Sequence, residues 1–127
     1  MTTTTLLDVR TVAVTVTDQD RAVAFYVDRL GFEKRLDVPI GDGVRWIEVA
    51  PPGAAVSVAP TRVAVRGTGP VDSGVRLTTH DVDFEHAAMR DRGIDVDDVI
   101  RWPGVPAMFT FRDTDNNTLY VVEAMRP

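Results

Sequence analysis

Residues 11–17 read TVAVTVT, with Val12, Val14 and Val16 alternating with Thr11, Ala13, Thr15 and Thr17. A period of two puts the valines on one face of a strand, about residues 9–17, and small, mildly polar groups on the other. The pattern then changes. Ala22, Val23, Phe25, Tyr26 and Leu30 recur at helical spacing and predict a helix over about 18–29. Thr17 or Asp18 can cap its free N–H groups, and Gly31 is a natural stop. Phe32–Ile40, Val44–Ala50 and Ala54–Pro60 read as three further strands. The turns between them fall at Gly41-Asp42-Gly43 and Pro51-Pro52-Gly53.

Residues 61–72 lack a clear period and hold Gly67, Gly69 and Pro70, so they read as a linker. The order then restarts. Gly74–His80 is a predicted strand and Asp81–Arg92 a predicted helix ended by Gly93. Ile94–Trp102, Ala107–Arg112 and Thr118–Ala124 are three more predicted strands. Turns at Pro103-Gly104 and Asp113–Asn117 separate them. The sequence itself echoes the repeat: Thr17-Asp18-Gln19-Asp20 aligns with His80-Asp81-Val82-Asp83, and Asp28-Arg29-Leu30-Gly31 with Asp91-Arg92-Gly93. Duplication of a strand–helix–strand–strand–strand unit fixes the architecture. It predicts an α+β fold of two βαβββ modules, with helices on the convex faces and concave mixed sheets forming a cavity. Module one covers about 9–60 and module two about 73–125, together one domain of 127 residues. Each helix packs on one face of its own sheet. Thr11, Ala13 and Thr15, on the other face, are expected to look into a cavity.

Composition narrows the function classes. The formal net charge of −5 argues against nonspecific nucleic-acid binding, which needs clustered positive charge, although 14 Lys+Arg leave room for a local patch. The absence of cysteine removes disulfides, thiolate catalysis and Cys-type zinc sites. No stretch is apolar enough to span a bilayer or serve as a signal peptide, so a cytoplasmic, membrane-free protein is expected.

The stretches VTDQDRAVAFYVDRLGFE, WIEVAPPG and FRDTDNNTLYVVE make the chain resemble the vicinal oxygen chelate superfamily. This superfamily includes glyoxalase I, extradiol dioxygenases, fosfomycin-resistance enzymes and bleomycin-resistance binding proteins. The last stretch resembles the family's Asp-Pro-Asp-Gly turn, with Thr114 and Asn116 in place of Pro and Gly. The resemblance covers nearly the whole chain. It implies paired βαβββ modules with a site in the concave sheet. It also implies a homodimer whose cavities lie near, or span, the subunit interface. Metal-using members place ligands on the first and last strand of each module. Carried over, those positions fall at Thr11, Ser57, Gly74 (or Val75) and Tyr120. Hydroxyls and a glycine do not suit a transition ion, which takes imidazole, carboxylate or thiolate. His80 and His86 have no metal-binding spacing. Glu123 lies three residues from Tyr120, so the two point to opposite faces. No metal and no cofactor are expected.

The candidate ligand-binding residues are Thr11, Thr15, Trp46, Ser57, Arg76, Trp102 and Tyr120. Trp46 and Trp102 offer rigid aromatic faces, with plain core or interface as the alternative. Tyr120 could stack on a flat ligand or donate to it. It could equally be a half-buried strand aromatic. Arg76 pairs with Ala13 by repeat logic, which puts it on the concave face where it could grip a carboxylate or phosphonate. A salt bridge is the alternative. Met108, Phe109 and Phe111 share a strand with at least one core face. His80 could be a general base, but strand-end solvation explains it as well. His86 reads as solvated. Asp18, Asp20, Asp81 and Asp83 read as helix starts, and Asp113 and Asp115 as turn formers. No catalytic set emerges. The reading favoured is a metal-free binding protein of the bleomycin-resistance type, for a small, partly apolar or aromatic molecule. The alternatives are a lyase, isomerase or dioxygenase of the same fold, with displaced metal ligands or metal-free acid/base chemistry, and an accessory domain without ligand.

Overall fold

The computed structural model describes residues 2–62 and 70–124. Strand β1 (Thr11–Thr15) leads into helix α1 (Gln19–Ala24), which widens into a π-helical turn over Phe25–Arg29. Asp18 is the cap: in an extended conformation, its side chain accepts the Arg21 N–H at 3.1 Å. The π turn is closed by the Leu30 N–H donating to the Phe25 carbonyl at 3.0 Å. It turns Phe25 and Tyr26 inward together, with their rings edge-to-face at 5.2 Å. Gly31 follows at φ +85°, a left-handed stop that a side chain would resist.

Three strands complete the first module: β2 (Glu33–Gly41), β3 (Val44–Ala50) and β4 (Ser57–Thr61). The sheet order is β1-β4-β3-β2, with β1 parallel to β4 and the other pairs antiparallel. The second module repeats the plan with β5 (Asp72–Thr79), α2 (Val82–Asp91), β6 (Met108–Arg112) and β7 (Thr118–Glu123). Its sheet order is β5-β7-β6, with β5 parallel to β7. Asp81 caps α2 as Asp18 caps α1, accepting the Phe84 N–H at 3.0 Å. Two helix caps at equivalent places and a parallel first–last strand pair in each sheet bear out two modules of one plan, the second with three strands in its sheet.

The predicted strand over Ile94–Trp102 is reduced to two isolated bridges, Val96 to Phe111 and Ile100 to Met108. Its aspartates explain the loss. Asp95 and Asp97 both turn to the guanidinium of Arg112, and carboxylates are poor strand formers. The predicted linker is also trimmed: Thr61 belongs to β4 and Asp72 to β5. Its residues 63–69 lie outside the described ones.

The convex faces of both sheets share a single core. Val14, Val16, Ala22, Tyr26, Ile47 and Val49 of the first module join Val82, Met89, Phe109, Phe111, Leu119 and Val121 of the second. Burying each large side chain contributes about 1.5–3 kcal/mol. A polar clasp crosses the same seam. The buried Tyr26 hydroxyl donates to Asp113 Oδ2 at 2.9 Å, and Asn117 Nδ2 donates to the Thr15 carbonyl at 2.8 Å. Asp115 Oδ2 accepts from the Thr17 N–H and hydroxyl. The last turn of module two is thereby pinned to the first strand and helix of module one.

Candidate functional site

With the convex faces consumed by the core, the opposite faces carry the candidate residues. On the first sheet, Thr11, Ala13 and Thr15 lie in register with Ser57, Ala59 and Thr61. The β1 residues are half-buried and the β4 residues fully buried. Val49 and Val58 pair toward the core, so Trp46, Glu48 and Ala50 share the face away from it with Ser57, where Trp46 is half-buried and the other three are buried. Across β2, Leu36 sits opposite Glu48 and the exposed Val38 opposite Trp46. The result is a surface of small hydroxyls, alanines and aliphatic groups around one half-buried indole.

A carboxylate lies within that surface. Glu48, 5% exposed, accepts from Trp46 Nε1 at 2.9 Å, Ser57 Oγ at 3.1 Å and Arg10 Nε at 3.3 Å. Burial pushes its pKa up, but the Trp46, Ser57 and Arg10 donors outweigh burial and hold it below the usual carboxylate value. Glu48 is absent from the residues picked out by sequence. Its signal was available: in RWIEVA, Ile47 and Val49 claim the core, which leaves Trp46 and Glu48 on the other side.

The second sheet's open face is of different character. Arg76, Tyr120 and Thr110 stand side by side on β5, β7 and β6. The Arg76 guanidinium lies over the Tyr120 ring, 4.2 Å from its centroid. The Tyr120 hydroxyl donates to Asp72, a bond that, with burial, raises its pKa. Thr110 and Arg112 both donate to Asp97, which Arg112 and Thr110 hold at about 2. The repeat-based placement of Arg76 on the open face agrees with this register.

Of the seven candidate residues, Thr11, Thr15, Trp46 and Ser57 share the first face, and Arg76 and Tyr120 the second. Ser57 and Arg76 also line one cleft of about 330 Å³ at the seam between the modules, with Val12, Val58, Val75 and Leu77. Trp102 stands on the loop before β6, 65% exposed. Phe109 and Phe111 are core, and Met108 is half-buried on the other side of their strand. Glu123 turns to the helix side and accepts the Val82 N–H. His80 is exposed. His86, expected to be solvated, instead contacts the Asp97 carbonyl at 2.8 Å and meets the Phe109 ring edge-on.

The positions that hold metal in metal-using relatives do not fit an ion here. Thr11 donates its hydroxyl to the Ser57 carbonyl, Ser57 serves Glu48, and Tyr120 serves Asp72. Among the described residues no group of three or more His, Asp or Glu could hold a metal ion. No helix among them is long and apolar enough to cross a membrane.

A family model described as Glyoxalase/Bleomycin resistance protein/Dioxygenase superfamily matches residues 9–121. The chain is 27% identical over 117 residues to YetH of Bacillus subtilis, covering 89% of this chain and 95% of that protein. Its fold is similar to TnmS3, an antibiotic binding protein from Streptomyces sp. CB03234. The TM-score is 0.84 at 31% identity, with 97% of this chain and 100% of that one covered. A superfamily member from Sphaerobacter thermophilus gives 0.85 at 31% identity, over 94% and 98%. The chain belongs to the glyoxalase/bleomycin resistance/dioxygenase superfamily.

Proposed function

We propose that this superfamily member is a binding protein of the bleomycin-resistance type, holding a small, partly apolar or aromatic molecule without a metal ion and without converting it. The observation that carries the reading is the open face of the first sheet. Its indole is fixed by a hydrogen bond and flanked by Leu36, Val38 and small residues, a ready platform for a flat guest. Thr11, Thr15 and Ser57 line that platform with hydroxyls. Arg76 and Tyr120 supply a polar counterpart on the second sheet, and Trp102 an aromatic edge from its loop. The similarity to an antibiotic binding protein over nearly the full length supports the same class of ligand.

The two open faces belong to different sheets, and β1 and β5 are each the edge strand of their own sheet. The reading therefore includes a homodimer, in which a second copy brings a polar face opposite an aromatic one. The test is titration of intrinsic tryptophan fluorescence with aromatic antibiotics, alongside sedimentation of the free protein. Saturable quenching that disappears in Trp46→Ala is the expected result. Unchanged fluorescence across the panel, or turnover of the added compound, would overturn the reading.

A further inference from the structure

The geometry points to Glu48 as the residue that selects the charge of the bound molecule. Its carboxylate takes a cationic group on the edge of an aromatic guest, in exchange for the Arg10 guanidinium. The inference rests on the binding role proposed above and names the chemistry of the guest.

Three features of the face lead there. First, a carboxylate among alanines and aliphatic side chains is costly to desolvate, and pinning the Trp46 indole does not require charge. A neutral acceptor would orient that N–H equally well. Second, the three donors to Glu48 differ in how firmly they are held. Trp46 and Ser57 are rooted in β3 and β4. Arg10 precedes β1, its side chain is 76% exposed, and its ion pair rests on Nε alone at 3.3 Å, the longest of the three contacts. Only the Arg10 side of this pair is exposed, and a long, solvated side chain held through one nitrogen is the partner most readily exchanged. Third, Trp46 Nε1 and Arg10 Nε meet the same oxygen, Oε2. A flat guest stacked on the indole therefore brings its own edge to the place that Arg10 occupies. A guest ammonium or protonated ring nitrogen there takes over a charge-assisted bond in a partly dry setting, where such bonds are strongest.

The test uses three tricyclic probes of matched shape: 9-aminoacridine (a cation at neutral pH), acridine (neutral) and acridine-9-carboxylate (an anion). Affinities are measured by titration calorimetry at low salt. The wild-type protein should bind the cation about tenfold or more tightly than acridine, in line with the strength of a charge-assisted bond. Glu48→Gln keeps an acceptor for Trp46. It should therefore lose the preference for the cation over acridine. Arg10→Ala removes the competitor and should tighten the cation severalfold without moving acridine. A purely structural Glu48 gives no such opposed pair of effects. An unchanged cation-to-neutral ratio in Glu48→Gln, or weaker cation binding in Arg10→Ala, would overturn this inference and leave the binding role standing. Failure of all three acridines to bind would overturn both.

Discussion

Replacing Tyr26 by Phe isolates the polar clasp between the modules. The ring, fully buried and packed edge-to-face on Phe25, stays; only the hydroxyl goes. That hydroxyl is one of four donors to the buried Asp113 carboxylate. The others are the Asp115 and Asn117 N–H groups on Oδ1, both at 2.9 Å, and Asn117 Nδ2 on Oδ2 at 3.1 Å. Four donors match the roughly four lone-pair sites of a carboxylate. Burial, then the nearby Asp113 charge, pushes the Tyr26 pKa well up, so the phenol remains a donor throughout the neutral range. Losing a bond to a charged, buried acceptor costs about 1.5–3 kcal/mol. At about 2.1 cal/mol/K of unfolding entropy per residue, a chain of this length should lose about 6–11 °C in Tm. Urea unfolding at fixed protein concentration should show the same loss with an unchanged m-value, since the surface exposed on unfolding is the same. A double-mutant cycle with Asp113→Asn should return a coupling of at least about 0.5 kcal/mol, because the two groups touch. A Tyr26→Phe protein within about 0.5 kcal/mol of wild type, the usual range of surface changes, would refute the claim that this bond holds the modules together.

Acid titration follows a second group. Asp97 is held at about 2 by Arg112 and Thr110, below its ordinary 3.8. Its folded pKa is depressed, so its contribution is complete above about pH 4 and is lost as pH falls from there toward 2. Arg112→Gln should flatten that acid limb in Tm measured against pH, and raise the Asp97 pKa read by NMR. Asp81→Ala removes the α2 cap and should cost about 1 kcal/mol by urea unfolding. Asp81→Asn, which keeps the acceptor, should recover most of it.

Much of this arrangement is legible in the chain. Val44–Ala50 is found as read because a short run rich in strand formers lies between two tight turns. Asp18 and Asp81 act as helix starts because capping is a local property. The misses are long-range. Asp113 reads as a turn former, and it is one, but its partner Tyr26 lies 87 residues away and nothing in either neighbourhood announces the bond. Residues 94–102 alternate well enough to suggest a strand, yet Arg112 claims their aspartates from the next strand. Glu48 was visible by parity alone.

The placement of the clasp leaves the two open faces available for the proposed binding role. A sheet with one helix can bury one face, and here both modules spend that face on each other, sealed by Phe109, Phe111, Tyr26 and the Asp113 turn. What remains is two faces of opposite character on a rigid frame: one aromatic with a recessed carboxylate, one led by a guanidinium stacked on a phenol ring. Neither strand positions nor core packing need those side chains, because leucines and threonines would serve the sheets as well. On the proposed binding role, a fixed indole beside Glu48 and a cation over Tyr120 are arrangements that gain from a guest. Rigid aromatics bind with little loss of side-chain freedom, and paired opposite charges reject the wrong ligand more than they strengthen the right one. On that argument, substitutions on the open faces should change which molecule is bound while leaving Tm near wild type, and substitutions at the clasp should do the reverse.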